Sequence, residues 1–169
     1  MPAETLVKEG DETANWKVYR NEEFGFEVKY PADPRWVLKA QEFDVPTADM
    51  PPNNALKQFL VQIINIPNIL NLKAEKITLA DYNGVVNITF IHRSFQKEKE
   101  RAQKYWTPVP VEGVVESDTF FNDKPAIKFS MPRANEYIVY ISPDITLSIY
   151  ISNTEKVYSQ ILSTFRFIE

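Results

Sequence analysis

Residues 114–132 read VVESDTFFNDKPAIKFSMP, and this stretch decides the fold class. A run ending in Phe120-Phe121 meets the polar pair Asn122-Asp123. A second run follows, in which Ile127, Phe129 and Met131 share one face. Two period-two segments around a two-residue polar turn predict a β-hairpin. Residues 135–142 (NEYIVYIS) and 145–152 (ITLSIYIS) repeat the pattern around Ser142-Pro143-Asp144. In the second of these, Ile145, Leu147, Ile149 and Ile151 face one way, and Thr146, Ser148 and Tyr150 the other. Strands joined by such short turns pair antiparallel, since a parallel neighbour needs a long crossover.

Beyond this region, Ser152 and Glu155 have capping-box spacing, which predicts a helix start. Val157, Tyr158, Ile161, Leu162 and Phe165 then form a helical apolar face, followed by a short tail, FRFIE. Upstream, the segment RSFQKEKERAQKYW is rich in helix formers, with a narrow apolar stripe at Phe95, Ala102 and Trp106 that Thr107-Pro108 ends. Val86, Ile88, Phe90 and His92 alternate after an Asn83-Gly84 turn. LKQFLVQIINIP, residues 56–67, is dense in Ile and Val and reads as a buried strand, with a buried helix as the alternative. Thr78 is placed to cap a short helix. Residues 40–54 hold Pro46, Pro51 and Pro52 and read as a loop. Near the start, WKVYR alternates, and Phe24, Phe26, Val28 and Tyr30 line one face of a strand that Pro31 terminates. Residues 1–15 are polar, without the apolar core of a signal peptide, and read as a flexible leader ahead of one domain, 16–169. That leader fits either a cytosolic start or the mature part of an exported protein.

Composition narrows the function. The chain has 169 residues, 44% of them hydrophobic, which suits one domain with a real core. A formal net charge of −4 disfavours nucleic acid as a partner. Zero cysteines remove disulfides, thiolate nucleophiles and cysteine-based zinc sites together. No apolar run is long enough to span a membrane.

Tyr19, Asn21, Gly25, Phe26, Tyr30 and Pro31 form a Y-x-N-x-x-x-G-F-x-x-x-Y-P pattern, with Trp36 following. Gln160, Ile161, Leu162, Ser163, Thr164, Phe165 and Phe167 form Q-I-L-S-T-F-x-F. Together these resemble the two ends of the PsbP-like (Mog1/PsbP-like) domain family, strongly over residues 16–36 and 124–169. The resemblance implies an α+β single domain, a central antiparallel β-sheet flanked by helices in an α/β/α sandwich. It also implies an exported bacterial protein, periplasmic or on the cell surface, tethered by an anchor ahead of a polar linker.

The expected function is a non-enzymatic, extracytoplasmic binding or accessory domain. Its expected partner is another envelope protein, with the membrane reached only through an anchor outside this chain, and the domain itself is expected to be a monomer. The alternatives are a small-ligand carrier or enzyme with a cleft beside residues 40–54, and a purely structural part of an envelope protein. No cofactor, metal site or catalytic residue is expected: no nucleophile elbow, zinc-protease or phosphate-loop motif occurs, and the aspartates are scattered. The candidate ligand-binding residues are Trp36, His92, Arg93, Tyr105 and Trp106. His92 is the one histidine and reads more readily as a strand-end residue. Trp36, Tyr105 and Trp106, with Trp16 and Tyr19, more often fill the gap between sheet and helix than bind a ligand. Residues 93–104 carry five basic and two acidic side chains. They offer a patch for an acidic partner or, the favoured reading, a solvated face with intrahelical pairs.

Overall fold

A computed structural model describes residues 12–45, 56–67, 83–106, 113–153 and 155–169. The described elements run β1 (Lys17–Asn21), β2 (Phe26–Tyr30), β3 (Trp36–Val45), β4 (Leu56–Asn65), β5 (Gly84–Ile91), α1 (Phe95–Trp106), β6 (Val115–Phe121), β7 (Lys124–Met131), β8 (Ala134–Ser142), β9 (Ile145–Ile151), α2 (Lys156–Ser163) and β10 (Arg166–Phe167). Seven strands form one sheet in the order β3-β4-β5-β9-β8-β7-β6, and three form a second in the order β1-β2-β10. Every pairing is antiparallel.

The architecture corrects the expected sandwich. Strands dominate the described residues, and their two helices have only 12 and 8 residues. A central sheet flanked by helices is therefore not what forms. The layer over one face of the large sheet is built largely from the second sheet, with α2 beside it. Phe26 and Val28 of β2 are fully buried and join Val61, Ile63, Val86, Ile88, Leu147 and Ile149 of the large sheet in one cluster with Tyr158, Ile161 and Phe165. Ring contacts knit the layers: Phe26 lies 5.3 Å from Phe165 and 5.2 Å from Phe90. Each such side chain contributes on the order of 1.5–3 kcal/mol by leaving water.

Local chemistry explains the connections. The β6–β7 turn has φ 45° at Asn122 and 63° at Asp123, the left-handed pair that a two-residue hairpin loop demands. Asn122 Nδ2 also donates to the Phe165 carbonyl at 2.7 Å, pinning the hairpin tip to the residues after α2. Gly25, at φ 66°, closes the β1–β2 turn, and its carbonyl accepts the Ile168 amide at 2.9 Å. The residues before β3 are held by Asp33, whose Oδ1 accepts the Arg35 amide at 2.9 Å. Gly84 opens β5 where a Cβ would lie 2.4 Å from the Tyr158 hydroxyl.

Three further expectations change. Residues 40–45 belong to β3, paired along its length with β4, so the loop read over 40–54 is strand in its first part. Residues 46–55 lie outside the described residues, as do the Thr78 cap and the Thr107-Pro108 helix end. The Ser152–Glu155 capping box does not form. Glu155 is the N-cap without a side-chain cap bond, and Ser152 Oγ instead accepts the Val85 amide at 2.8 Å, tying β5 to the end of β9. The tail after α2 supplies β10. Of residues 1–15, those before 12 lie outside the described residues. Glu12 itself pairs with Lys156 of α2 at 3.2 Å.

Candidate functional site

The other face of the large sheet carries α1 and the residues singled out around it. Ala102, Ile127, Phe129 and Ile138 form a small apolar cluster flanked by Phe95 and Trp106, so the stripe on α1 does face the sheet. Beside it runs a chain of buried charge. Glu98 is 1% exposed and Glu136 4%. Arg93 Nη1 reaches Glu98 Oε2 at 3.0 Å, and Arg101 Nε bonds the same carboxylate. Arg101 Nη2 continues to Glu136 Oε1 at 2.7 Å. Ser148 Oγ donates to Glu136 Oε1 at 3.0 Å, and Trp106 Nε1 to Glu136 Oε2 at 2.5 Å. Burial opposes the charge on Arg101, but Glu136 and Glu98 outweigh it and hold its pKa above the usual guanidinium value.

The reading of residues 93–104 holds for exposed Lys97, Glu100 and Lys104 and for the intrahelical Glu98–Arg101 pair, but it is corrected at Glu98, which is buried, and at Arg101, which reaches across to the sheet. Two carboxylates and two guanidinium groups neutralise one another under the helix, and the chain of bonds crosses to β8 and β9. Glu98 accepts from two donors and Glu136 from three. The network fastens α1 to the sheet.

The candidates therefore separate. Arg93 and Trp106 share the network, and Tyr105 stands edge-on to Trp106 at 4.6 Å with its own side chain exposed. Trp106 stacks on Tyr150 at 6.3 Å. Burial first, then Tyr105 and Glu136, push the Tyr150 hydroxyl above its ordinary pKa. His92 sits exposed just past the end of β5. Trp36 lies on the opposite face, in the core 5.4 Å from the Tyr158 ring, as a gap-filling side chain. The five do not make one site.

A concavity among the described residues lies elsewhere. An open groove of about 510 Å³ runs between α2 and the β6–β9 half of the sheet. Its floor comes from cross-strand pairs: Lys128 of β7 sits opposite Tyr137 of β8, and Asn135 opposite Ile151 of β9. Thr119, Phe120 and Phe121 form one wall, and Ser159, Leu162 and Ser163 of α2 the other. Lys128 Nζ stands 5.4 Å over the Tyr137 ring, a cation–π contact that holds the ammonium over the floor. Some lining groups are already engaged: Asn153 caps the turn before α2 through the Glu155 amide at 2.8 Å, and Ser163 Oγ donates to the Gln160 carbonyl at 2.7 Å. Among the described residues, the side-chain polar atoms of Lys128, Asn135, Tyr137 and Ser159 meet no hydrogen-bonding partner, which leaves them available to a ligand. Sequence reasoning missed these four because they come from two strands and a helix, and their spacing matches no motif.

Among the described residues no three His, Asp or Glu side chains converge on a metal-sized site. No described helix is long and apolar enough to cross a membrane. No family model matches the chain, and no curated protein matches it.

Proposed function

We propose that this chain is a binding domain that presents the groove beside α2 to another protein and performs no chemistry of its own. The groove itself carries this reading: a concavity of the volume common to binding sites, with mixed polar and apolar walls and several unengaged polar groups. Its described lining holds no carboxylate and no histidine, the side chains that most often carry acid–base steps. We place the domain outside the cytoplasm on the resemblance of its two ends to exported proteins.

The test is affinity capture from envelope and cytosolic fractions, using the full chain and a Ser159→Trp variant that fills the groove from exposed α2. A partner from the envelope fraction that the wild type retains and Ser159→Trp loses supports the proposal. Equal capture by both proteins removes the groove from it. Native protein recovered in the cytosol overturns the location.

A further inference from the structure

We infer that the groove recognises a carboxylate in an extended, acidic segment of a partner protein, a reading that rests on the groove being the recognition site. Lys128 is the only charged side chain in the lining. Among the described residues no carboxylate pairs with it, although the chain carries 23 acidic side chains against 19 basic ones. The ion pairs that do form engage Arg20, Arg35, Arg93, Arg101, Lys156 and Arg166. A single unpaired ammonium, fixed over an aromatic floor and walled by neutral groups, favours an anion in an otherwise acidic domain.

The shape favours a peptide over a small free acid. The groove is open to solvent rather than enclosed, so a metabolite would leave much of its surface in water, whereas small-molecule pockets bury most of their ligand. A chain lying along it covers more surface. Asn135 supplies both a donor and an acceptor, the pair that a peptide backbone presents in return. Leu162 and Phe121 offer the apolar contacts for a neighbouring side chain. Carboxylate selection then falls to Lys128.

The experiment is fluorescence anisotropy on the full chain. The probe is a labelled pool of short acetylated and amidated peptides with one Glu among Ala, Leu, Ser and Thr, set beside the same pool with Gln for Glu. Succinate serves as the free acid. The Glu pool binds, the Gln pool binds about tenfold or more weakly, and succinate does not compete, as expected for one charge-assisted contact in an extended site. Lys128→Gln brings the Glu pool down to the level of the Gln pool, while Lys97→Glu on the exposed face of α1 leaves binding unchanged. Circular dichroism checks that the variants are folded, and loss of the Glu-pool preference in Ser159→Trp provides an independent reading. Equal binding of both pools, no binding of the Glu pool, full competition by succinate, or equal loss in Lys97→Glu each overturns the inference. Capture of a partner that Ser159→Trp abolishes, together with equal binding of both pools, would sink the carboxylate alone and keep the groove. Equal capture by wild type and Ser159→Trp would sink both.

Discussion

The two faces of the seven-stranded sheet are held by opposite kinds of chemistry. On one, Phe26, Val28, Phe90, Ile149, Ile161 and Phe165 exclude water with hydrocarbon alone. On the other, α1 sits over an apolar cluster of four buried residues and a charged chain through Arg93, Glu98, Arg101 and Glu136. Hydrocarbon is forgiving of partners and strict about volume. Buried charge is the reverse, because an ion left without its partner has no water to turn to. The first face specifies a shape, and the second specifies which residues sit opposite which.

The largest effects should separate the faces by how they fail. Phe26→Ala removes a fully buried ring and should destabilise the protein by about 3–5 kcal/mol, read as a shift in the urea midpoint. Glu136→Ala leaves the Trp106 N–H and the Ser148 hydroxyl without their acceptor and Arg101 with Glu98 alone, and should cost about 3 kcal/mol. The contrast appears in the double variant. Glu136→Met with Arg101→Leu should recover part of the loss, since the guanidinium leaves with its partner while the Trp106 N–H still lacks an acceptor. Repairing Phe26→Ala needs restored volume at that position. If the double variant is as unstable as Glu136→Ala, the network is more than a fastener.

Gly84 probes the tolerance of the apolar side. Its Cβ would meet the Tyr158 hydroxyl at 2.4 Å and ring carbon Cζ at 2.6 Å, so Gly84→Ala should cost about 1–3 kcal/mol by overpacking. Tyr158→Phe in the same chain should relieve part of this, because only the nearer atom is removed. A gain of stability in Gly84→Ala alone would show that the corner has slack.

The smallest effect is the pH response of that tyrosine. Tyr158 is fully buried, and Asn83 lies beside its hydroxyl without closing a hydrogen bond. Burial, reinforced by Glu155, raises its pKa from 10.0 to about 12. The fold therefore favours the protonated form. That contribution is complete below pH 10.0 and is lost as pH climbs through about 12. Across this window wild type should lose stability more steeply than Tyr158→Phe in paired urea titrations. Parallel slopes would place the hydroxyl in contact with water.

Much of this was legible in the residues. Alternation gave the β6–β7 and β8–β9 hairpins, the inward face of β2, and the stripe on α1 that meets the sheet. Layering was misread because the strands that replace a helical layer are short or mixed. Arg166 and Phe167 form only a two-residue strand. β3 carries polar Lys39, Gln41 and Glu42 at one edge of the sheet, and nearby prolines hid it. Glu98 looked like one more solvated charge, since nothing in QKEKER distinguishes a carboxylate facing water from one facing Arg93 and Arg101. Of the residues chosen for ligand binding, Trp36 sits in the core, and Arg93 and Trp106 bond the buried carboxylates of Glu98 and Glu136. The groove left no trace, because cross-strand register brings Lys128 to Tyr137 and no local pattern encodes it.

The second sheet has a consequence for synthesis. β2 pairs with β10, and Arg166 bonds Glu27 across a separation of 139 residues. A ribosome that has just released β2 must add that length before β10 exists, roughly 7–28 s at ordinary elongation speeds of 5–20 residues per second. For most of that interval β9 and α2 have not been made, and the Phe26 and Val28 side of the nascent hairpin has only β4 and β5 to pack against.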